Sequence, residues 1–396
     1  MNAFSPPPIR IVILGSTGSI GVSALSVIER HPERFRVVGL AANRSVERLE
    51  AQAARHDPLQ VVVADQEAYR SCRDNGTHWT GGRRALLDLA QMEEADVVVN
   101  ALVGFAGLEP SLRVLEAGKR LALANKESLV TGGDLLLRAL ETGQGDLVPI
   151  DSEHSAILQC LAGSSPEEVQ RLVITASGGP FRGWSPERLA GVEAEDALRH
   201  PTWEMGAKIS IDSATLANKA LEVIEAHLLY RVSYDRIDAV VHPQSIIHSF
   251  VEFVDGSVMA QLGFPTMELP ILYALTYPER LPDADLRTFD PVRSSPLTFE
   301  EVDRAAFPLF EIGVAAGRSG GTAPTVFNAA NEVAVAAFLE GRLSFPGMAR
   351  VVEGTLERVD AAPVSEIQGV LEADRRARRI ASELTARRSL AAGTDA

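Results

Sequence analysis

Ile9-Arg10-Ile11-Val12-Ile13-Leu14-Gly15-Ser16-Thr17-Gly18-Ser19-Ile20-Gly21 is the stretch on which the fold turns. Ile9 to Leu14 is an apolar run broken only by Arg10, the pattern of a strand buried on both faces. Glycines follow at Gly15, Gly18 and Gly21, and a helical pattern runs on from Val22 to Arg30. Strand, glycine turn and helix in that order form the first βα unit of a dinucleotide-binding sheet. The glycines let the backbone approach a pyrophosphate, and the helix start directs N–H donors at it. Thr17 and Ser19 add hydroxyls. A tight turn with no ligand is the competing reading.

Working outward, further apolar runs occur at Phe35–Ala41, Gln60–Ala64, Ala95–Ala101 and Arg120–Ala124, with helical segments such as Val46–Arg55 and Leu108–Ala117 between them. This alternation predicts a parallel, doubly wound sheet over residues 1–150. An NAD site places a carboxylate near the end of the second strand. Here the segment reads Gly39-Leu40-Ala41-Ala42-Asn43-Arg44-Ser45, which has none. Arg44 can clamp a 2′-phosphate while Asn43 and Ser45 donate to it, so the cofactor expected is NADPH. A solvated surface role for Arg44 stays open. Ala124-Asn125-Lys126-Glu127-Ser128 follows the fifth run and should lie on the same ligand edge, with Lys126 near the nicotinamide end.

Leu147-Val148-Pro149-Ile150 then stops at Asp151-Ser152-Glu153. Continued strand alternation would aim Asp151 and Glu153 at one point, where they repel unless a cation or proton lies between them. An N-cap aspartate with a first-turn glutamate is the alternative. Beyond the strand-like run Arg171–Ala176, Ser177-Gly178-Gly179-Pro180 reads as an anion-facing loop. His200-Pro201-Thr202-Trp203-Glu204-Met205-Gly206 reads as a lid, although Trp203 and Met205 could simply pack on a neighbour.

A helix is predicted over Ser213–Tyr230, with Thr215, Asn218, Lys219 and Glu222 in one stripe. Ser213, Asn218 and Lys219 could hold a phosphate, while Glu222 would offer a third carboxylate to Asp151 and Glu153. Three oxygen ligands with no His/Cys cluster predict Mg²⁺ or Mn²⁺ and disfavour zinc. Val240–His248 and Phe250–Leu262 read as strands, with Asp255-Gly256 as the hairpin turn and His242 and His248 structural. The whole is expected to be α/β: an N-terminal doubly wound, Rossmann-like NADPH domain (1–150), a central α/β catalytic domain binding metal and substrate (151–280), a linker (281–304) and a C-terminal helical bundle (305–390).

Composition narrows the function. The 396 residues carry a net charge of −15, which argues against a nucleic-acid or anionic-membrane partner. No apolar run approaches the roughly 20 residues of a membrane span. The first ten residues lack the basic start and apolar stretch of a secretory signal. Two cysteines, Cys72 and Cys160, are too few for a disulfide framework, so a cytoplasmic, reduced protein is expected.

In order along the chain, GSTGSIG (Gly15–Gly21), ANKES (Ala124–Ser128), IDSEHSA (Ile150–Ala156), SGGPFR (Ser177–Arg182), HPTWEMG (His200–Gly206), SIDSAT (Ser210–Thr215), NKALE (Asn218–Glu222), HPQSIIHS (His242–Ser249) and NAANEVAVAAFL (Asn328–Leu339) closely resemble the 1-deoxy-D-xylulose 5-phosphate reductoisomerase family. The resemblance implies NADPH-dependent isomerisation and reduction of that sugar phosphate to 2-C-methyl-D-erythritol 4-phosphate, in the non-mevalonate isoprenoid route, by a homodimer. It implies Asp151, Glu153 and Glu222 as metal ligands, and Lys126, Glu153 and His200 as catalytic groups. Ser152, Ser177, Trp203, Ser213, Asn218 and Lys219 join Lys126, Glu153, His200 and Glu222 around the substrate. Thr17, Gly18, Ser19 and Ile20 would meet the cofactor pyrophosphate, Asn43, Arg44 and Ser45 its 2′-phosphate, and Asn125, Glu127 and Gly206 the rest of it. Residues 43–45 are the weakest part of the match, because family members vary there. A plain NADP-dependent sugar-phosphate or semialdehyde dehydrogenase would share the first domain without needing three carboxylates.

Overall fold

The first strand is buried because nothing in Ile11–Leu14 tolerates water: all four side chains are fully covered. The structure, a computed structural model, describes residues 7–72, 78–203 and 205–394, with side chains through Arg387. From this strand the chain alternates as expected: β1 Ile9–Leu14, α1 Ser19–Arg30, β2 Phe35–Ala42, α2 Val46–His56, β3 Gln60–Val63, α3 Gln66–Arg70, β4 Trp79–Gly81, α4 Arg83–Ala90, β5 Val97–Asn100, α5 Leu108–Glu116, β6 Arg120–Leu123, α6 Lys126–Thr142, β7 Asp146–Pro149 and α7 Ser152–Cys160. The seven strands form one sheet in the order β4-β3-β2-β1-β5-β6-β7, and every pairing is parallel. The order reverses between β1 and β5, which opens the crevice where such sheets hold ligands.

The remaining elements are β8 Val169–Ala176, α8 Pro186–Leu189, α9 Ala194–Leu198, α10 Ala207–Ala214, α11 Ala217–Tyr230, β9 Ile237–Val241, β10 Ile247–Phe253, β11 Val258–Leu262, α12 Glu268–Thr276, β12 Glu300–Glu301, α13 Pro308–Ser319, α14 Ala323–Leu339, α15 Phe345–Leu356 and α16 Ile367–Thr394. A second sheet runs β11-β10-β8-β9-β12, in which only β8 and β9 are parallel.

The compact units divide the chain differently from the boundaries read in the sequence. One unit comprises residues up to Ser128, Leu136–Ser155 and Thr266–Leu286; the other comprises Leu129–Leu135, Ala156–Pro265 and Arg287 onward. Helix α12 belongs to the first unit because it is apolar on every side and lies against α1. Arg30 of α1 grips Glu268 at 3.1 Å and Asp283 at 2.8 Å, which holds the segment in place. The terminal helices do not form a separate bundle. Phe307, Phe310, Phe327, Phe338 and Phe345 share one core with Leu172 and Ile174 of β8 and with Leu221 and Ile224 of α11. The stretch read as a linker also ends in structure, since β12 pairs with Val240 and Val241 of β9.

Candidate functional site

In the first unit the loop is built so that side chains could not replace Gly15 and Gly21. Gly15 has φ +87°, and a Cβ there would lie 2.5 Å from the Ala101 carbonyl oxygen. A Cβ on Gly21 would lie 2.4 Å from the Gly15 oxygen, so α1 packs directly on the turn. The N–H groups of Gly15 and Ser16 both donate to Ala41 O at 2.9 Å, tying the loop to the end of β2. Buried Ser16 donates to Gln52 Oε1 at 2.7 Å, and Gln52 Nε2 donates back to the Ser16 carbonyl at 2.9 Å. Gly18 and Ser19 are exposed, and Thr17 and Ile20 half-buried, at the start of a twelve-residue helix. The N–H groups of its first turn have no partner within the helix and suit a pyrophosphate.

Asn43, Arg44 and Ser45 are all exposed between β2 and α2. Arg44 Nε donates to Asp65 Oδ2 at 2.9 Å, a partner the sequence reading missed. Asp65 also caps α3, and these backbone N–H bonds, with Arg44, hold its carboxyl below the usual range. Asn125 is 1% exposed, caps α6 and donates to the carbonyls of Leu102 and Gly104, each at 2.9 Å. Glu127 accepts from the same amide at 2.9 Å and is also buried.

The acidic corner differs from the strand geometry expected. β7 stops at Pro149, and Glu153 sits in the first turn of α7, so helix geometry and not strand alternation sets its direction. Asp151 accepts weakly from the Glu153 N–H, at 3.4 Å. The capping reading and the ligand reading therefore describe the same residues. Lys126 Nζ lies 2.6 Å from Asp151 Oδ2 with both side chains largely buried, and Ser152 donates its hydroxyl to Glu153.

In the second unit, Ser177 bonds to His200, and Ser213, Asn218 and Lys219 lie on two consecutive helices. Helix Ser213–Tyr230 is a correction: the chain forms two helices, α10 and α11, separated at Leu216 with φ +59°. Ser213 lies in the last turn of α10, and Thr215 ends that helix, donating its hydroxyl to Ile211 O at 3.0 Å. Thr215 is thus not part of the α11 stripe. The break brings a second loop close: a Cβ on Gly179 would lie 2.9 Å from the Ser213 carbonyl oxygen. Within α11, Glu222 accepts from Asn218 Nδ2 and from Lys219 Nζ.

His200 has a defined tautomer. Its Nδ1 accepts the N–H groups of Thr202 at 3.1 Å and Trp203 at 3.0 Å, so the neutral ring carries its proton on Nε2. That proton is donated to Ser177 Oγ at 3.0 Å, which also accepts from the Gly179 N–H at 3.2 Å. Both acceptor positions of the Ser177 hydroxyl are then used, leaving its hydrogen to donate outward. Trp203 is half-buried and Gly206 exposed, while residue 204 of the expected lid lies outside the described residues. His242 is structural as read: it is fully buried, bonds Thr298 O at 2.9 Å and stacks on Phe299.

Burial lowers the His200 pKa from its ordinary value of 6.5. The turn needs the neutral ring, so its support is complete above 6.5 and is lost as pH falls through the lowered folded value. Protease cleavage between Arg199 and Gly206 should therefore accelerate from pH 7.5 to 5.5. Rates that stay flat, after correction for the protease's own profile, would contradict this role for His200.

Three family models match the chain: 1-deoxy-D-xylulose 5-phosphate reductoisomerase over residues 11–133, its C-terminal domain over 147–230, and a DXP reductoisomerase C-terminal domain over 262–380. The 1-deoxy-D-xylulose 5-phosphate reductoisomerase of Nocardia farcinica is 52% identical over 379 residues, covering 95% of this chain and 94% of that one. The Zymomonas mobilis reductoisomerase solved in complex with NADPH superimposes with a TM-score of 0.89 at 41% identity, covering 96% and 99% of the two chains. A DOX-P reductoisomerase solved with NADPH, fosmidomycin and magnesium gives 0.90 at 36% identity, covering 95% and 98%. This chain therefore belongs to the 1-deoxy-D-xylulose 5-phosphate reductoisomerase family.

Proposed function

We infer that the protein converts 1-deoxy-D-xylulose 5-phosphate to 2-C-methyl-D-erythritol 4-phosphate, using NADPH and a divalent cation, Mg²⁺ or Mn²⁺. The observation that carries this reading is the division of labour between a glycine-loop nucleotide unit and a second unit whose donors suit a phosphate. Gly15–Ile20 fits the dinucleotide, since the turn is held close by Gly15 and Gly21 and ends in helix N–H donors. Asp151, Glu153 and Glu222 fit a hard cation: all are carboxylates, and no histidine or cysteine is among them.

The roles of this chain's residues follow. Ser177, with its hydroxyl hydrogen directed outward by His200, joins Ser213, Asn218 and Lys219 on the substrate phosphate. Trp203 covers the carbon chain and keeps water from the rearranging skeleton. Phosphate binding, remote from the reacting carbons, supplies the energy for that closure. Lys126 is assigned to a substrate hydroxyl, Ser152 to orienting Glu153, and Glu153 to receiving the hydroxyl proton. When bound, the cation would be held by Asp151, Glu153 and Glu222 and would supply Lewis-acid chemistry. Arg44, Asn43 and Ser45 take the 2′-phosphate, while Asn125, Glu127 and Gly206 shape the rest of the cofactor site. We also assign a homodimer: β11 is an edge strand with Val258 and Met259 exposed beside Val254. A cytoplasmic location accords with two free cysteines, and no described helix is long and apolar enough to cross a membrane.

Oxidation of NADPH, followed at 340 nm with the sugar phosphate present, tests the reading. It should stop on adding EDTA and return with excess Mg²⁺ or Mn²⁺. Full turnover in the chelator would favour a plain dehydrogenase.

A further inference from the structure

Helix α10 is a short rod with functional groups at both ends. Its amino end continues from Gly206, whose carbonyl accepts the Ser210 hydroxyl at 3.1 Å. Its carboxyl end carries Ser213 and leads through Leu216 into Asn218 and Lys219. Between these ends lies a charged cluster that the proposed chemistry does not use. Asp212 is fully buried, and Lys208, one turn earlier, pairs with its Oδ2 at 2.8 Å. Asn331, in the middle of α14 and itself fully buried, donates to Asp212 Oδ1 at 2.7 Å. The Asn331 side-chain oxygen, Oδ1, is buried with no hydrogen-bond partner among the described residues.

Stability alone is a poor reason for this arrangement. A buried ion pair is often matched or bettered by apolar groups of the same volume, and a buried amide oxygen without a partner adds to the cost. What the cluster does supply is direction: one carboxylate fixes both the rotation and the axial position of α10 against α14. We propose that Asp212, held by Lys208 and Asn331, is a positioning residue that registers the 200–206 lid with the phosphate-binding Ser213. This rests on the functional reading above for its substrate. The cluster itself touches neither substrate nor cofactor; it acts through α10.

Lys208→Met/Asp212→Leu/Asn331→Leu replaces all three partners by apolar groups of similar volume, so that no buried amide is left without a partner. It should fold with an unchanged or raised Tm and raise the sugar-phosphate KM at least tenfold. Fosmidomycin should protect residues 199–206 from protease in the natural protein and fail to do so in this variant. Asp212→Asn/Asn331→Asp exchanges the two partners across the same hydrogen bond and keeps a carboxylate near Lys208. It should recover most of both properties. Natural KM and protection in the folded apolar variant would overturn the proposal, as would an exchange variant no better than the apolar one. Should the natural protein fail to turn over the sugar phosphate, only the functional reading falls. Protection by inorganic phosphate, compared across the same variants, then decides the positioning role.

Discussion

Glu222→Gln should keep the fold and lose the metal. Glutamine preserves the size of the side chain and still accepts a hydrogen bond from Asn218, but it removes one negative charge from the proposed ligand set. It also leaves Lys219, 3% exposed, facing a neutral amide. Lewis-acid assistance is worth several kcal/mol, and each 1.36 kcal/mol is tenfold in rate, so kcat/KM should fall by about 10³. Mn²⁺ affinity, read from the free-ion EPR signal, should fall in parallel while the far-UV CD spectrum is retained. NADPH binding does not use Glu222 in the proposed assignment and should change little. Near-natural turnover by the folded variant would contradict the three-carboxylate assignment.

Arg44→Ala should separate NADPH from NADH. Hydrogen bonds to a charged group are worth about 1.5–3 kcal/mol, which corresponds to an NADPH KM raised about 10- to 150-fold. NADH lacks the 2′-phosphate and should be nearly indifferent. The Arg44 side chain is 73% exposed, so the difference should shrink as salt is raised. Asp65 holds the guanidinium through Nε, which leaves the terminal nitrogens for the phosphate. Equal losses for both cofactors, measured by steady-state kinetics, would give Arg44 another role.

How much was legible in the sequence depended on whether the physics was local. The pattern of Ile9–Gly21 is local: an apolar run, glycines at fixed spacing and a helix start, and the structure places β1 on the residues expected. Helix α12 was missed because its residues are apolar on all sides and show no period that separates a face. The break at Leu216 carries no glycine or proline, since tertiary packing holds a leucine in the left-handed region there. Asp151 and Glu153 were read on the wrong local geometry, because Pro149 ends the strand and α7 begins at Ser152. Partners distant in sequence left no signal: Asp65 lies 21 residues from Arg44, and Asn331 lies 119 from Asp212. A histidine followed by two residues of a tight turn hints at a ring nitrogen capping the backbone, but only coordinates assign the His200 tautomer.

The isomerisation is the central claim, and the carbon skeleton of the product tests it most directly. Purified protein should be incubated with ¹³C-labelled 1-deoxy-D-xylulose 5-phosphate, NADPH and Mg²⁺, and the product followed by NMR. The account predicts one NADPH oxidised per molecule of 2-C-methyl-D-erythritol 4-phosphate, with the methyl group on a branched carbon. An unbranched 1-deoxypentitol phosphate formed with the same NADPH consumption would contradict it, because reduction would then proceed without rearrangement.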